Sequence, residues 1–384
     1  MRILHIITRM VVGGAQENTM LTVLAQQAAG HEVLLVTGPS LGEEGELETR
    51  ARALGAKIRV VPELVRELDP VRDLRATAVL RRLIREGDYS VVHTHTSKAG
   101  VVGRLAARAA RTPAIIHTPH GHVFHGYFGP WKTALFRETE RFCARFTDRL
   151  IMLTANEQRE HLELGIAPAR KFVTIHSGVD FSRFEKAGAN GTTRADLGLP
   201  EDATVIGCVA RLVPIKGHEY LLRAMPPVLQ RFPKARLLLV GDGPLTEPLR
   251  ELARTLGIAD RVVFAGLRED VPQLLRLMDL FALASLNEGM GRVLVEAGAS
   301  RLPSVATRVS GIPDVIEEGV TGLLVDPASP EQMSEALMQL LEDPERARRM
   351  GEAAYRKVVP AFGVEAMVER IEAVYQEVLA KKAR

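Results

Sequence analysis

Short runs rich in Val, Ile and Leu alternate along this chain with segments of helical length, and they come in two series. RILHIIT, EVLLVTG, KIRVVPEL, SVVHTH, AIIHTPHG, RLIMLT and KFVTIHSG occupy the first half; TVIGCVA, ARLLLVGDG, RVVFAG, LFALAS, PSVATRV and GLLVD occupy the second. Continuous apolar runs separated by helices are what a parallel sheet covered on both faces requires. Between the series, Asp180 to Asp202 (DFSRFEKAGANGTTRADLGLPED) is polar and Gly-rich without strand pattern, which makes it the linker candidate. The pattern predicts an α/β chain of two Rossmann-like domains, residues 1–180 and 181–362, facing each other across a cleft with ligands at the carboxyl ends of the strands. The segment 363–384, GVEAMVERIEAVYQEVLAKKAR, reads as a long helix with no strand after it, so it docks on its own domain or back across the hinge.

The length agrees with two cores: at 384 residues the chain exceeds the roughly 250–300 beyond which single cores stop growing. A net charge of +3 gives no nucleic-acid footprint, which would show as clustered cations and a larger imbalance. Cys143 and Cys208 lie far apart, match no metal spacing and read as buried free thiols in a reducing compartment. MRILHIIT reads as a first strand rather than a signal peptide, and no apolar run approaches the roughly 18 residues of a spanning helix. A cytoplasmic protein is expected, at most in peripheral contact with a membrane. VRDLRATAVLRRLIREG, with Arg72, Arg75, Arg81, Arg82 and Arg85, reads as a basic amphipathic helix whose face either rests on anionic lipid or is simply solvated.

SLNEGMGRVLVEAGA, Ser285 to Ala299, sets Glu288 and Glu296 eight positions apart, with Gly289 and Gly291 after the first. Ser285-x-x-Glu288 fits a capping box, but a helix starting there would hold both glycines in its first turns, each costing about 0.5–1 kcal/mol relative to Ala. A strand ending near Ser285, a tight turn NEGMG and a helix opening at RVLVEAGA suit the residues better. Glu288 then projects from the turn and Glu296 lies about one turn into the helix. Bare amides at a helix start attract anions, so the stretch resembles a cradle for a diphosphate flanked by two acceptors for ring hydroxyls.

A dinucleotide site is disfavoured: MVVGGAQENTM offers only Gly13 and Gly14, and the second strand ends without the acidic residue that grips a ribose. Gly241-Asp-Gly243 lacks a third glycine, and no P-loop pattern occurs. Gly13 and Gly14 serve either a turn alone or the approach of a ligand phosphate. Arg211 and Lys216, in ARLVPIKGHEYLLRA, fall at the ligand-facing end of a strand, where a guanidinium fork and a compact ammonium would neutralise a departing diphosphate; the alternative is a pair of solvated loop cations.

Histidines are bunched: His93 and His95, then His117, His120, His122 and His125. Alternate positions put His93 and His95 on one face of a strand, yet no further ligands follow at a metal spacing and no D-x-D pair occurs, so no metal is expected. His120, before Gly121 at a strand end, is better placed to orient a substrate or shuttle a proton. Phe124, Tyr127, Phe128 and Trp131 share a loop, where the rings either stack on a sugar, cover a lipid or pack beneath the following helix.

Together the GGAQ loop, HTHTSKAG, the TPHG strand end, IHSGVD, VARLVPIKGHEYLLRA, GDGP and EGMGRVLVEAGA resemble the retaining glycosyltransferases of the GT-B fold, specifically glycosyltransferase family 4, over nearly the whole chain. The last segment is similar to the family's E-x7-E motif, and its pairing with Arg-x4-Lys upstream is specific. The resemblance implies that Glu288 contacts donor-sugar hydroxyls, Glu296 accepts from the ribose, and Arg211 and Lys216 hold the diphosphate with amides around Gly291, Arg292, Val293 and Leu294, with Gly289 and Met290 also among the donor-binding residues. It also implies that Gly13 and Gly14 face the phosphates and acceptor, His120 lies near the reacting carbon, Leu267 meets the base, and the C-terminal helix crosses back to the first domain. Arg292 stands where many relatives carry an apolar residue. The implied reaction is metal-independent, cofactor-free transfer of a sugar from a nucleotide-diphosphate donor, most commonly UDP-linked, to a hydroxyl of a glycan, lipid-linked or small-molecule acceptor with retention. A nucleotide-sugar epimerase and a non-catalytic nucleotide-sugar binding protein share the architecture and are the alternatives.

Overall fold

The computed structural model describes residues 1–11, 13–40, 46–120, 130–185 and 191–383. The chain divides into two compact units: Met1–Gly178 with Val364–Arg384, and Val179–Gly363.

The first unit is built on seven strands: β1 (Arg2–Ile7), β2 (Glu32–Thr37), β3 (Ile58–Val60), β4 (Val91–His95), β5 (Ala114–Thr118), β6 (Arg149–Met152) and β7 (Phe172–Thr174). They pair in the order β3-β2-β1-β4-β5-β6-β7, all parallel. The continuous apolar runs follow from this placement, because β1, β4 and β5 are covered on both faces. Ile3, Ile7, Val91 and Ile116 point into a core shared with the helix Val364–Lys382, while Leu4, Ile6, Val92 and Ile115 point into the opposite core. The C-terminal helix thus belongs to the first unit. Its buried residues, Val364, Met367, Val368, Ile371, Val374, Tyr375 and Val378, recur every three or four positions, the spacing of one helical face.

The second unit has six strands: β8 (Thr204–Val209), β9 (Ala235–Val240), β10 (Val262–Gly266), β11 (Leu280–Leu283), β12 (Ser304–Thr307) and β13 (Gly322–Val325). Their order, β10-β9-β8-β11-β12-β13, repeats the topology of the first sheet, again parallel. In each sheet the winding direction reverses once, between β1 and β4 and between β8 and β11. Open α/β sheets bind ligands outside the carboxyl ends of the strands at such a point.

The linker expected at Asp180–Asp202 is corrected, because the described part of that segment is folded into the second unit. The Arg194 guanidinium donates to the carbonyls of Glu201, Ala203 and Leu277 at 2.9–3.0 Å and pairs with Asp279 at 3.1 Å. Thr192 donates to Asp270 at 2.6 Å, and Leu199 is buried. A single arginine anchors this polar, Gly-rich stretch through carbonyls that composition does not reveal.

Candidate functional site

In the second unit, β11 ends at Leu283 and the helix Arg292–Ala299 begins directly after Gly291, whose φ of 74° lies in the left-handed region. The two glycines therefore precede the helix, as their propensities demand. Ser285 does not cap this helix: its hydroxyl donates to the Glu288 carboxylate at 3.1 Å, and no side chain caps the first turn. The Leu294 N–H donates to the Gly291 carbonyl at 2.8 Å, a tightened first turn that commits this donor within the helix.

Glu288 is ion-paired with Lys216, which follows β8; the two side chains are 14% and 23% exposed. Adjacency of β8 and β11 creates this contact, and the loops after them are pressed together. A Cβ on Gly217 would fall 2.1 Å from the Ala284 carbonyl, and the Leu286 N–H donates to the Ile215 carbonyl at 2.8 Å. The loop after β12 closes the other side, where Ser310 donates to Asn287 at 2.8 Å and the Gly311 N–H to the Gly289 carbonyl at 2.9 Å. Arg211, at the end of β8, is exposed, and no carboxylate among the described residues pairs with it. Leu267, next to the end of β10, is 82% exposed, an unusual position for a leucine and one suited to covering a flat apolar surface. Met290 and Leu294 are buried, whereas Gly289 is open and Arg292, Val293 and Glu296 are partly exposed. The structure thus gathers Lys216 and Glu288 at the switch point of the second sheet, between the ends of its central strands.

In the first unit, Gly13 precedes the helix Gly14–Ala28, and a Cβ on Gly14 would meet nothing within 4 Å. The histidines form a chain at the corresponding switch point. His5 on β1 is in register with His93 on β4. His5 Nε2 lies 2.8 Å from Gln26 Oε1, His5 Nδ1 lies 2.9 Å from His95 Nε2, and His95 Nδ1 lies 2.8 Å from His120 Nε2. His93 bridges Tyr375, 2.6 Å from its Nδ1, and Thr118, 2.8 Å from its Nε2. Burial lowers the imidazole of His5 to about 4 and that of His120 to about 3, and it holds His93 and His95 well below the usual range with help from neighbouring rings. Uncharged rings fit this environment, because an isolated buried charge is far more costly than a hydrogen-bonded neutral ring. His5, His93 and His95 bring ligating atoms within 4.8 Å of one another, the spacing of a metal site. Their nitrogens are committed to one another and to Gln26, His120, Tyr375 and Thr118, an arrangement that fits neutral hydrogen-bonded rings. His5, Gln26 and Tyr375 were missed from the sequence, where the only signal was a histidine interrupting the apolar run of β1.

The backbone is strained where this chain ends. His120 has φ 61°, and Thr96, after β4, has φ 63° and ψ 167°, a region nearly reserved for glycine. The Thr96 N–H donates to the Thr118 carbonyl at 3.1 Å, and its hydroxyl lies 3.1 Å from that of Thr8. Trp131 is 69% exposed. Phe124, Tyr127, Phe128, Gly121, His122 and His125 lie outside the described residues.

The profile of the family Glycosyl transferases group 1 matches residues 190–357, and that of the Glycosyl transferase 4-like domain matches residues 13–178. The chain is 33% identical to the Escherichia coli UDP-Gal:alpha-D-GlcNAc-diphosphoundecaprenol alpha-1,3-galactosyltransferase, over 69% of this chain and 70% of that one. It is 31% identical to the Mycobacterium tuberculosis GDP-mannose-dependent alpha-(1-6)-phosphatidylinositol monomannoside mannosyltransferase, over 78% of each. Among solved structures, Anabaena HepE in complex with UDP superposes with a TM-score of 0.84 at 23% identity, covering 98% of this chain and 100% of that one, a likeness of fold. With its two Rossmann-like sheets, the chain belongs to the group 1 glycosyltransferases of the GT-B fold, enzymes that use nucleotide-sugar donors.

Proposed function

We propose that the enzyme transfers a sugar from a UDP-sugar to a hydroxyl of a lipid-linked or envelope glycan, with retention and without a metal. The observation that carries this reading is the convergence of Lys216 and Glu288 beside the uncapped start of the helix Arg292–Ala299. Lys216, with Arg211 at the end of the same strand, supplies positive charge for a diphosphate, and the helix start adds its own positive potential. Glu288 accepts from donor-sugar hydroxyls, Glu296 accepts from the ribose, and Leu267 covers the base. Gly14 leaves room for a ligand in the first unit, and His120 lies near the reacting carbon.

The C1–O bond to the diphosphate breaks while the acceptor oxygen bonds to C1 on the same face, and the acceptor proton passes to a phosphate oxygen. Preorganised cations aimed at the developing negative charge are often worth several kcal/mol in such a step. The E. coli relative is named for a UDP donor and a diphosphoundecaprenol-linked acceptor, and the M. tuberculosis relative for GDP-mannose and a phosphatidylinositol mannoside. Both names favour a lipid-linked acceptor; UDP is preferred because the Anabaena protein of the same fold was solved with UDP.

The test is a panel of UDP- and GDP-sugars incubated with and without undecaprenyl-diphosphate-linked sugars, in EDTA, following release of the nucleoside diphosphate and the anomeric configuration of the product by NMR. Acceptor-dependent UDP release with retained configuration is expected. Interconversion of the donor without an acceptor would identify an epimerase, binding without turnover a sensor, and an inverted product would overturn retention.

A further inference from the structure

The hydrogen-bond chain running from Gln26 to His120 has a direction, and the direction follows from counting protons. A neutral imidazole carries one N–H, so within a chain of such rings each must accept at one nitrogen and donate at the other. Gln26 presents Oε1, an atom that only accepts, to His5 Nε2 at 2.8 Å. His5 Nε2 therefore carries the proton, and His5 Nδ1 is bare. At 2.9 Å, His95 Nε2 must donate to that bare nitrogen, which leaves His95 Nδ1 to accept from His120 Nε2 at 2.8 Å. His120 is then protonated at Nε2, and its Nδ1 holds an open lone pair. That atom is shielded from solvent and has no hydrogen-bond partner among the described residues.

We propose that Gln26 sets the tautomer of His120 through His5 and His95, so that His120 Nδ1 is a bare acceptor that takes a hydrogen bond from a ligand hydroxyl brought to it and cannot donate to a phosphate oxygen. Gln26 is thus a positioning residue three hydrogen bonds removed from His120. An amide has one accepting and one donating end, so turning it would reverse every bond in the chain and convert Nδ1 into a donor. Gln26, His5 and His95 are at most 2% exposed, and a mismatched donor or acceptor at such a site costs about 1–3 kcal/mol. The left-handed backbone of His120 holds the outermost ring in place. The tautomer is a property of the free protein; only its consequence for transfer rests on the function proposed above.

The experiment is long-range 1H–15N correlation NMR on full-length protein labelled with 15N-histidine at pH 7.5, with His120 assigned by its loss in His120→Gln. The wild type is expected to show His120 protonated at Nε2. Gln26→Glu, which can only accept, should keep that tautomer, whereas Gln26→Met should give a mixture of both. Wild-type His120 protonated at Nδ1 would overturn the proposal even if no variant folded, and so would a Gln26→Met spectrum identical to wild type. In transfer assays Gln26→Met should lower kcat about tenfold with KM for the donor nearly unchanged, and Gln26→Glu should restore it. If the NMR results hold while no acceptor ever supports transfer, the tautomer assignment stands and the proposed function fails.

Discussion

Lys216 and Glu288 lie 72 positions apart in the chain, yet they form one ion pair because they follow adjacent strands. A diphosphate would compete with Glu288 for Lys216, whereas a sugar would compete with Lys216 for Glu288. The two single variants should therefore separate. Lys216→Ala and Glu288→Ala are each expected to lower transfer about 100-fold, roughly 2.7 kcal/mol. For UDP without a sugar, calorimetry should show weaker binding to Lys216→Ala and unchanged or tighter binding to Glu288→Ala. In transfer, the double variant should fall well short of the product of the single effects, since contacting residues are coupled. Independent, multiplicative losses would contradict the shared role.

Arg104 is fully buried and pairs through both terminal nitrogens with Glu140, at 2.7 and 2.6 Å, while its Nε donates to the Gly100 carbonyl at 2.7 Å. The buried guanidinium holds the Glu140 carboxyl down at about 2 against its own burial. Glu140→Leu strands a buried cation and should destabilise the first unit by about 3–5 kcal/mol, whereas replacing both partners as Arg104→Met with Glu140→Leu should cost much less. Chemical denaturation followed by a probe in the first unit distinguishes them. Equal losses in the two proteins would show that the charge itself contributes the stability.

The strands were legible because burial on both faces leaves an apolar run that polar loops interrupt, and the start of the helix Arg292–Ala299 was legible because Gly289 and Gly291 exclude themselves from its first turns. The pairing of Lys216 with Glu288 was not legible, since it depends on β8 lying beside β11. The histidine chain was not legible. It depends on the register of His5 against His93 and on Gln26 and Tyr375, from helices 21 and 282 positions away from their partners, packing on one face of the sheet. That the polar stretch after Asp180 is folded was not legible for the same reason, since the carbonyl partners of Arg194 have no sequence signature.

The two units should respond differently to acid. His5, His93, His95 and His117 in the first unit are at most 2% exposed, and burial depresses all four; His218 in the second is likewise lowered to about 4, by burial and then by Lys216. In the unfolded chain each imidazole titrates near about 6.5. As pH falls below that value the unfolded state takes up protons that the folded state refuses, so stability drops until the folded groups themselves titrate, at about 4 for His5 and about 3 for His117. Each fully shifted histidine contributes a loss of about 2 kcal/mol between pH 7 and pH 5. Hydrogen exchange at pH 7.0 and 5.5 should show opening in the first unit well before the second. A uniform response, or greater stability at pH 5.5, would rule out neutral burial of the four rings.

The helix Pro70–Gly87 is capped by Asp69, which accepts from the N–H groups of Val71 and Arg72 at 3.1 and 3.0 Å. Ala76, Leu80, Leu83 and Ile84 are buried on one side, whereas Val71 and Leu74 are 61% and 73% exposed on the other, with Leu68 just before them at 68%. Arg75, Arg81, Arg82 and Arg85 are exposed on that same side, so apolar groups and cations share one stripe. Among the described residues no helix is long and apolar enough to cross a membrane. A lipid-linked acceptor would instead require the protein to come to the bilayer surface, where each basic residue contributes about 1 kcal/mol on an anionic leaflet and buried apolar side chains add to it. The protein should cosediment with vesicles containing phosphatidylglycerol and release them as salt is raised. Val71→Glu with Leu74→Glu should weaken that binding at least about tenfold, roughly 1.4 kcal/mol, while leaving transfer to a water-soluble acceptor unchanged. Equal binding to neutral phosphatidylcholine vesicles, or no effect of the double substitution, would assign this stripe to solvent.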